Sequence, residues 1–148
     1  MIVVDVNIVA YFLIEGEKTT SARELLRREP DWRLPALWRH EYLNVLATFV
    51  RKGGATIAEA QSLWRRGVQL LGPREQSVDM ESALVLATDN QISAYDAQYI
   101  ALAQQLRTVC ITEDQRLLKT FPTLTRTMQA FASFLPPPVD TDEDGESK

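Results

Sequence analysis

Apolar residues fill nearly every position of residues 1–14, Met-Ile-Val-Val-Asp-Val-Asn-Ile-Val-Ala-Tyr-Phe-Leu-Ile, with Asp5 and Asn7 as the polar interruptions. The β-branched run 2–4 reads as a short strand buried on both faces, and 6–14 continues from it as a helix. A second helix is predicted over 19–28, then a short strand over 32–34 ahead of Pro35. From 36 to 52 the apolar positions Leu37, Trp38, Tyr42, Val45, Leu46 and Phe49 recur at helical spacing, and Gly53-Gly54 closes that helix. Thr56 begins the next helix, with Glu59 at the capping-box position. It runs to Leu71, where Gly72-Pro73 stops it. The remainder predicts a strand over 75–78, a helix over 79–88, a helix over 93–106 led by Ser93-Ala-Tyr-Asp96, and a strand over 108–111. A short helix over 113–121, a last strand over 124–128 and a final turn over 130–135 complete the pattern.

Short strands alternating with helices predict an α/β fold, a three-layer α/β/α sandwich around a short, mostly parallel sheet. A length of 148 residues fits one domain, 1–135, followed by a Pro-rich acidic tail, 136–148, expected to be disordered. In parallel sheets ligands bind beyond the carboxyl ends of the strands, and Asp5 and Asp114 both follow predicted strands.

Charge changes the picture once it is divided. The net −4 lies wholly in the tail, where Asp140, Asp142, Glu143, Asp144 and Glu146 face the single Lys148. Residues 1–139 hold 15 acids and 15 bases. Nucleic acid is compatible with this balance without being demanded by it. The single cysteine, Cys110, rules out an intramolecular disulfide and reads as a small buried hydrophobe, as in a reducing cytosol. No basic leader precedes the first apolar run, and no apolar run approaches the ~20 residues of a membrane helix, so a cytoplasmic protein is expected.

Four acids interrupt or close apolar stretches: Asp5, Glu41, Asp96 and Asp114. A lone buried carboxylate costs several kcal/mol, so it is paired, protonated or holding a metal. Each also has an ordinary reading. Asp5, Asp96 and Asp114 all stand where an acid caps a helix, Glu113 competes with Asp114, and Glu41 fits the border of an apolar stripe. If the four converge, a divalent cation is the simplest resolution. Two carboxylates ~4 Å apart repel by about 4 kcal/mol at an effective dielectric near 20. One His and one Cys cannot make a zinc site, and a hard cation such as Mg²⁺ needs only a few carboxylates beside its waters. No Ser/His/Asp set and no phosphate-binding glycine loop is present. Asp5-Val6-Asn7 also lacks the second Asp of a phosphoaspartyl hydrolase.

Four blocks carry a resemblance: Val-Val-Asp5-Val-Asn7-Ile, His-Glu41-Tyr-Leu-Asn-Val-Leu, Ser93-Ala-Tyr-Asp96-Ala-Gln-Tyr-Ile-Ala-Leu-Ala and Val-Cys-Ile-Thr112-Glu-Asp114-Gln-Arg-Leu. In order and spacing the chain resembles PIN domains, and among them the VapC-type toxin ribonucleases of toxin–antitoxin systems. Val6 departs from the small hydroxyl residue or alanine common there. The resemblance implies a Mg²⁺- or Mn²⁺-dependent endoribonuclease with metal-site roles for Asp5, Glu41, Asp96 and Asp114, and supporting roles for Asn7 and Thr112. It also implies a homodimer and a cognate antitoxin. RNA phosphates would be met by Arg39, Arg51, Lys52, Arg65 and Arg66, while Trp38 and Trp64 serve base stacking, core or interface. The exposed face of helices 19–28 and 36–71 is one expected antitoxin surface. Two rivals remain: a PIN-like module that binds RNA or protein without hydrolysis, and a nuclease directed at DNA or at particular structures.

Overall fold

The three residues Ile2-Val3-Val4 dictate the layering. In a strand successive side chains alternate faces, and all three are buried, so both faces of this strand must be covered. In the computed structural model, which describes residues 1–136, Ile2 and Val4 join one hydrophobic cluster and Val3 the other.

Eight α-helices and five strands are found among the described residues. They run β1 (Ile2–Val4), α1 (Val6–Leu13), α2 (Thr19–Arg28), β2 (Trp32–Pro35), α3 (Trp38–Arg51), α4 (Ile57–Leu71), β3 (Glu75–Gln76), α5 (Met80–Asn90), α6 (Ala94–Gln105), β4 (Cys110–Ile111), α7 (Gln115–Thr120), β5 (Thr125–Arg126) and α8 (Met128–Phe134). A 3₁₀ turn, Gly72–Arg74, links α4 to β3. The sheet order is β3-β2-β1-β4-β5 and every pairing is parallel. Residues of α1 to α4 and of α8 pack on the Ile2/Val4 face, and residues of α5, α6 and α7 on the Val3 face. The expected three-layer sandwich is therefore the observed one. No helix among the described residues is long and apolar enough to cross a membrane.

Strand order fixes where a site can form. The chain leaves β1 toward β2 and β3, then returns across the sheet to place β4 on the other side of β1. The connections diverge at the carboxyl ends of β1 and β4, which opens a crevice there. Polar side chains seal the adjoining helix starts: Asp5 caps α1, Ser93 caps α6 and Asp114 caps α7.

The expected strands and helices are all present, with shifted borders, and the final turn expected over 130–135 is instead a helix, α8. Gly53 takes a left-handed φ of 79° after α3, as its position requires. The strand expected over 124–128 shrinks to Thr125–Arg126, because the Thr127 hydroxyl accepts the Ala130 N–H and starts α8 at Met128. Likewise the strand expected over 75–78 stops at Gln76, since Asp79 is already the cap of α5. The strand expected from 108 begins at Cys110, after a left-handed Arg107. The Pro-rich acidic tail expected over 136–148 lies, beyond Pro136, outside the described residues.

Candidate active site

Burial makes Asp5 the anchor. It follows β1 directly and is 6% exposed. One carboxylate oxygen, Oδ1, accepts the N–H groups of Asn7 at 3.0 Å and Ile8 at 3.2 Å. The other, Oδ2, accepts the hydroxyl of Thr112, which follows β4. The Thr112 oxygen in turn accepts the Asp114 N–H at 3.0 Å. Backbone pairing of β1 with β4 and this short relay thus tie the two strand ends together. Burial pushes the Asp5 carboxyl up to about 6; the donors from Thr112, Ile8 and Asn7 oppose that rise, and the charge of Asp114 adds to it.

The same hydrogen-bonding logic leaves Asp114 half free. Its Oδ1 accepts the Arg116 and Leu117 N–H groups at 2.9 and 3.1 Å, completing the cap of α7. Glu113, its rival by sequence, turns away and accepts the Met128 N–H at 3.0 Å. Asp96 stands in the first turn of α6, where the Ser93 hydroxyl accepts its N–H at 3.0 Å. Its carboxyl is raised by burial first and then by Asp114, while Ser93 and Arg116 pull it down. Glu41, in the first turn of α3, is also raised by burial. The Tyr99 hydroxyl, donating to Glu41 Oε1 at 2.7 Å, opposes this, and the charge of Asp96 adds to it.

The four acids therefore form one electrostatic group: Asp5 feels Asp114, Asp96 feels Asp114, and Glu41 feels Asp96. Among the described residues none of them enters a salt bridge. Nor do any three acidic, histidine or cysteine groups among those residues already stand close enough to grip one ion. The donor chemistry nevertheless fits a hard divalent cation. All candidate ligands are carboxylate oxygens, and Mg²⁺ needs one or two of them while keeping its own waters.

Other expected site residues are placed differently. Asn7 gives its backbone N–H to Asp5 while the residue itself is exposed. Arg39 is bound to Glu75, which also accepts the Trp38 indole N–H at 2.8 Å; Trp38 is fully buried core. Arg51 and Lys52 close α3, ten and eleven residues beyond Glu41 and about 15 Å along the helix. Arg65 and Arg66 are exposed on α4, and Arg66 shares a surface hollow with Phe49 and Gly54, at the far end of α3 from Glu41. Two residues that sequence reasoning passed over do reach the acids. Tyr99 holds Glu41, and a phenol inside an apolar stripe signals a hidden acceptor. Arg116, two positions past Asp114, acts on Asp96 and donates to the Gln91 carbonyl.

Comparison with known proteins gives a consistent answer. The model of the PIN domain family matches residues 2–121. Ribonuclease VapC3 of Pyrobaculum aerophilum is 26% identical over 127 residues, which cover 83% of this chain and 96% of that protein. The crystal structure of PAE2754 from Pyrobaculum aerophilum superposes with a TM-score of 0.70 at 18% identity, covering 88% of this chain and 92% of that one. A toxin–antitoxin complex from Klebsiella pneumoniae gives 0.60 at 18% identity, covering 86% and 98%. FitAcB from Neisseria gonorrhoeae gives 0.63 at 16%, covering 87% and 99%. At these identities the structural matches speak to the fold.

Proposed function

The chain belongs to the PIN domain family, and from that premise we propose that it is a divalent-metal-dependent endoribonuclease, the toxin of a type II toxin–antitoxin pair. One observation supports the reading: Asp5, Glu41, Asp96 and Asp114 stand on the carboxyl-end edge of the sheet, linked pairwise by charge, and none has a basic partner in a salt bridge among the described residues. Ribonuclease VapC3 as a relative, and a toxin–antitoxin complex among the structural neighbours, support it.

Asp5, Asp96 and Asp114 would hold Mg²⁺ or Mn²⁺, with Glu41 completing the set or orienting water. When bound, such an ion supplies positive charge at the scissile phosphate and acidifies water for in-line attack. The protein's own part is placement. Thr112 and two backbone N–H groups hold the Asp5 carboxylate in one orientation. Tyr99 fixes Glu41, whose burial-raised carboxyl is suited to holding a proton from water during attack. Asn7 and Thr112 support the mouth and the floor of the site.

The partners follow from the same reading: RNA as substrate, a second copy of the chain, and an antitoxin, all in the cytoplasm. The apolar trough between α3 and α4, lined by Leu43, Leu46, Val50, Ile57 and Trp64, is a surface for the antitoxin. The test is cleavage of RNA, and of DNA of the same sequence, by purified protein with Mg²⁺ or Mn²⁺. Cleavage of RNA that stops in EDTA and in Asp96→Asn is expected. Inert protein would refute the proposal, and equal cutting of DNA would redirect it. One observation favours a second reading, a module that binds without hydrolysis: no three acidic, histidine or cysteine groups among the described residues are gathered as for one ion. Calorimetric titration with Mn²⁺ separates the two, since the module would take up no ion.

A further inference from the structure

A second hollow opens on the same edge of the sheet as the acids. It has a volume of about 310 Å³ and lies where β2 and β3 give way to the starts of α3 and α5. Leu37, Val78 and Met80 supply its apolar lining; His40, Gln76 and Gln98 supply polar side chains. Its walls adjoin the site at two points. His40 precedes Glu41 on α3, and Gln98 precedes Tyr99 on α6, so the Tyr99–Glu41 hydrogen bond links the two helices that wall the hollow. Neighbouring strands are about 4.8 Å apart, which sets β3 about 10 Å from β1 and its Asp5.

The polar groups here are free to work. Nearby hydrogen bonds go elsewhere: Trp38 and Arg39 donate to Glu75, Tyr99 to Glu41, and Gln105 to the Ser77 carbonyl. The two half-buried carboxamides, Gln76 and Gln98, and the His40 imidazole are left without a protein partner among the described residues. The volume lies at the bottom of the range for ligand sites, which suits one flat ring and little more. An apolar lining with an imidazole gives a stacking surface, and a carboxamide offers a donor and an acceptor side by side, as a base edge requires.

Resting on the ribonuclease reading, we propose that this pocket receives one unstacked nucleobase of a single-stranded RNA and so sets the sequence at which the acids cut. The backbone then crosses the carboxylates while the base a short step away drops between α3 and α6. Gln98 and Gln76 read its edge, and His40 with Met80 holds its face.

Two measurements keep this separate from the catalytic question. In EDTA, anisotropy reads binding of labelled hexauridylate in which one central position is U, A, G or C. The wild type should discriminate among the four by about tenfold, and Gln98→Leu or Gln76→Leu should flatten this to within twofold while melting as the wild type does. No binding, no discrimination, or discrimination kept in both variants overturns the pocket. Cleavage with Mn²⁺ is read in parallel. A wild type that cuts no RNA overturns the nuclease reading whatever the binding arm shows. One that cuts, with its preferred base unchanged in both variants, overturns only the pocket.

Discussion

The phenolic hydroxyl of Tyr99 donates to Glu41 Oε1 at 2.7 Å, joining α6 to α3 across 58 residues of chain. Tyr99 is 1% exposed, so its hydroxyl has little chance of finding water instead. In Tyr99→Phe the donor disappears and the ring remains. Stability should fall by about 1 kcal/mol. The Glu41 carboxyl should rise further, because this bond is what opposes the rise caused by burial. A titration of activity against pH should then show its acidic limb moved to higher pH, which a purely structural tyrosine would leave in place.

Asp5 sets a second test, in EDTA. Its carboxyl lies at about 6 in the fold against an ordinary 3.8, so the folded chain holds this proton more tightly than the unfolded chain. Stability from this group is present below pH 3.8, declines as pH rises from there to 6, and stays lost above. The gap corresponds to about 3 kcal/mol. Asp5→Asn, which cannot ionise, should melt higher than the wild type at pH 7, and the difference should close as pH falls toward 4. RNA cleavage should vanish in the same variant. A variant melting well below wild type at pH 7 would mark Asp5 as structural alone.

How much of this was legible beforehand depends on what each residue does. An acid inside an apolar run opposes the burial trend, so Asp5, Glu41, Asp96 and Asp114 stood out; the strand pattern placed Asp5 and Asp114 on one sheet edge, and the helical period put Glu41 and Asp96 on the inward faces of their helices. Tyr99 did not stand out, because a tyrosine in a stripe with Ile100 and Ala103 packs like its neighbours and only coordinates reveal the acceptor. Arg39 looked like a free cation, yet Glu75, 36 residues away, binds it, and no local pattern encodes that pairing. The short strands β3 and β5 were found but overdrawn. Two residues carry no period, and the caps Asp79 and Thr127 end them.

Asp114 separates capping from ion binding. Its Oδ1 caps α7, a role a serine hydroxyl can fill, while the charge is needed only by a cation. Asp114→Ser should keep the melting temperature in EDTA, whereas Asp114→Ala should lose about 1 kcal/mol. Wild type in Mn²⁺ at a hundredfold excess over Kd should gain about 2.7 kcal/mol. Both variants should lose most of that gain. Thermal scans with and without Mn²⁺ suffice to check all four values.

Gly67 tests the seam between α3 and α4. A Cβ there would lie 2.8 Å from Tyr42 Cε1, and the Tyr42 hydroxyl is tied to the Leu63 carbonyl at 3.0 Å, so the ring has little room to retreat. Gly67→Ala gains about 1 kcal/mol in helix propensity but overpacks the seam by about 1–3 kcal/mol. Denaturant unfolding should therefore show a net loss, and Gly67→Val a larger one.

Asp5 and Thr112 are 107 residues apart in sequence, and β4 can join β1 only after that whole span has closed on itself. Contacts of such range form slowly, because chain entropy must be spent before they reward it. Partly folded molecules can acquire α1 to α4 and still lack half the crevice. The rate at which refolding protein recovers function should follow this insertion of β4 beside β1 rather than the earlier appearance of helix.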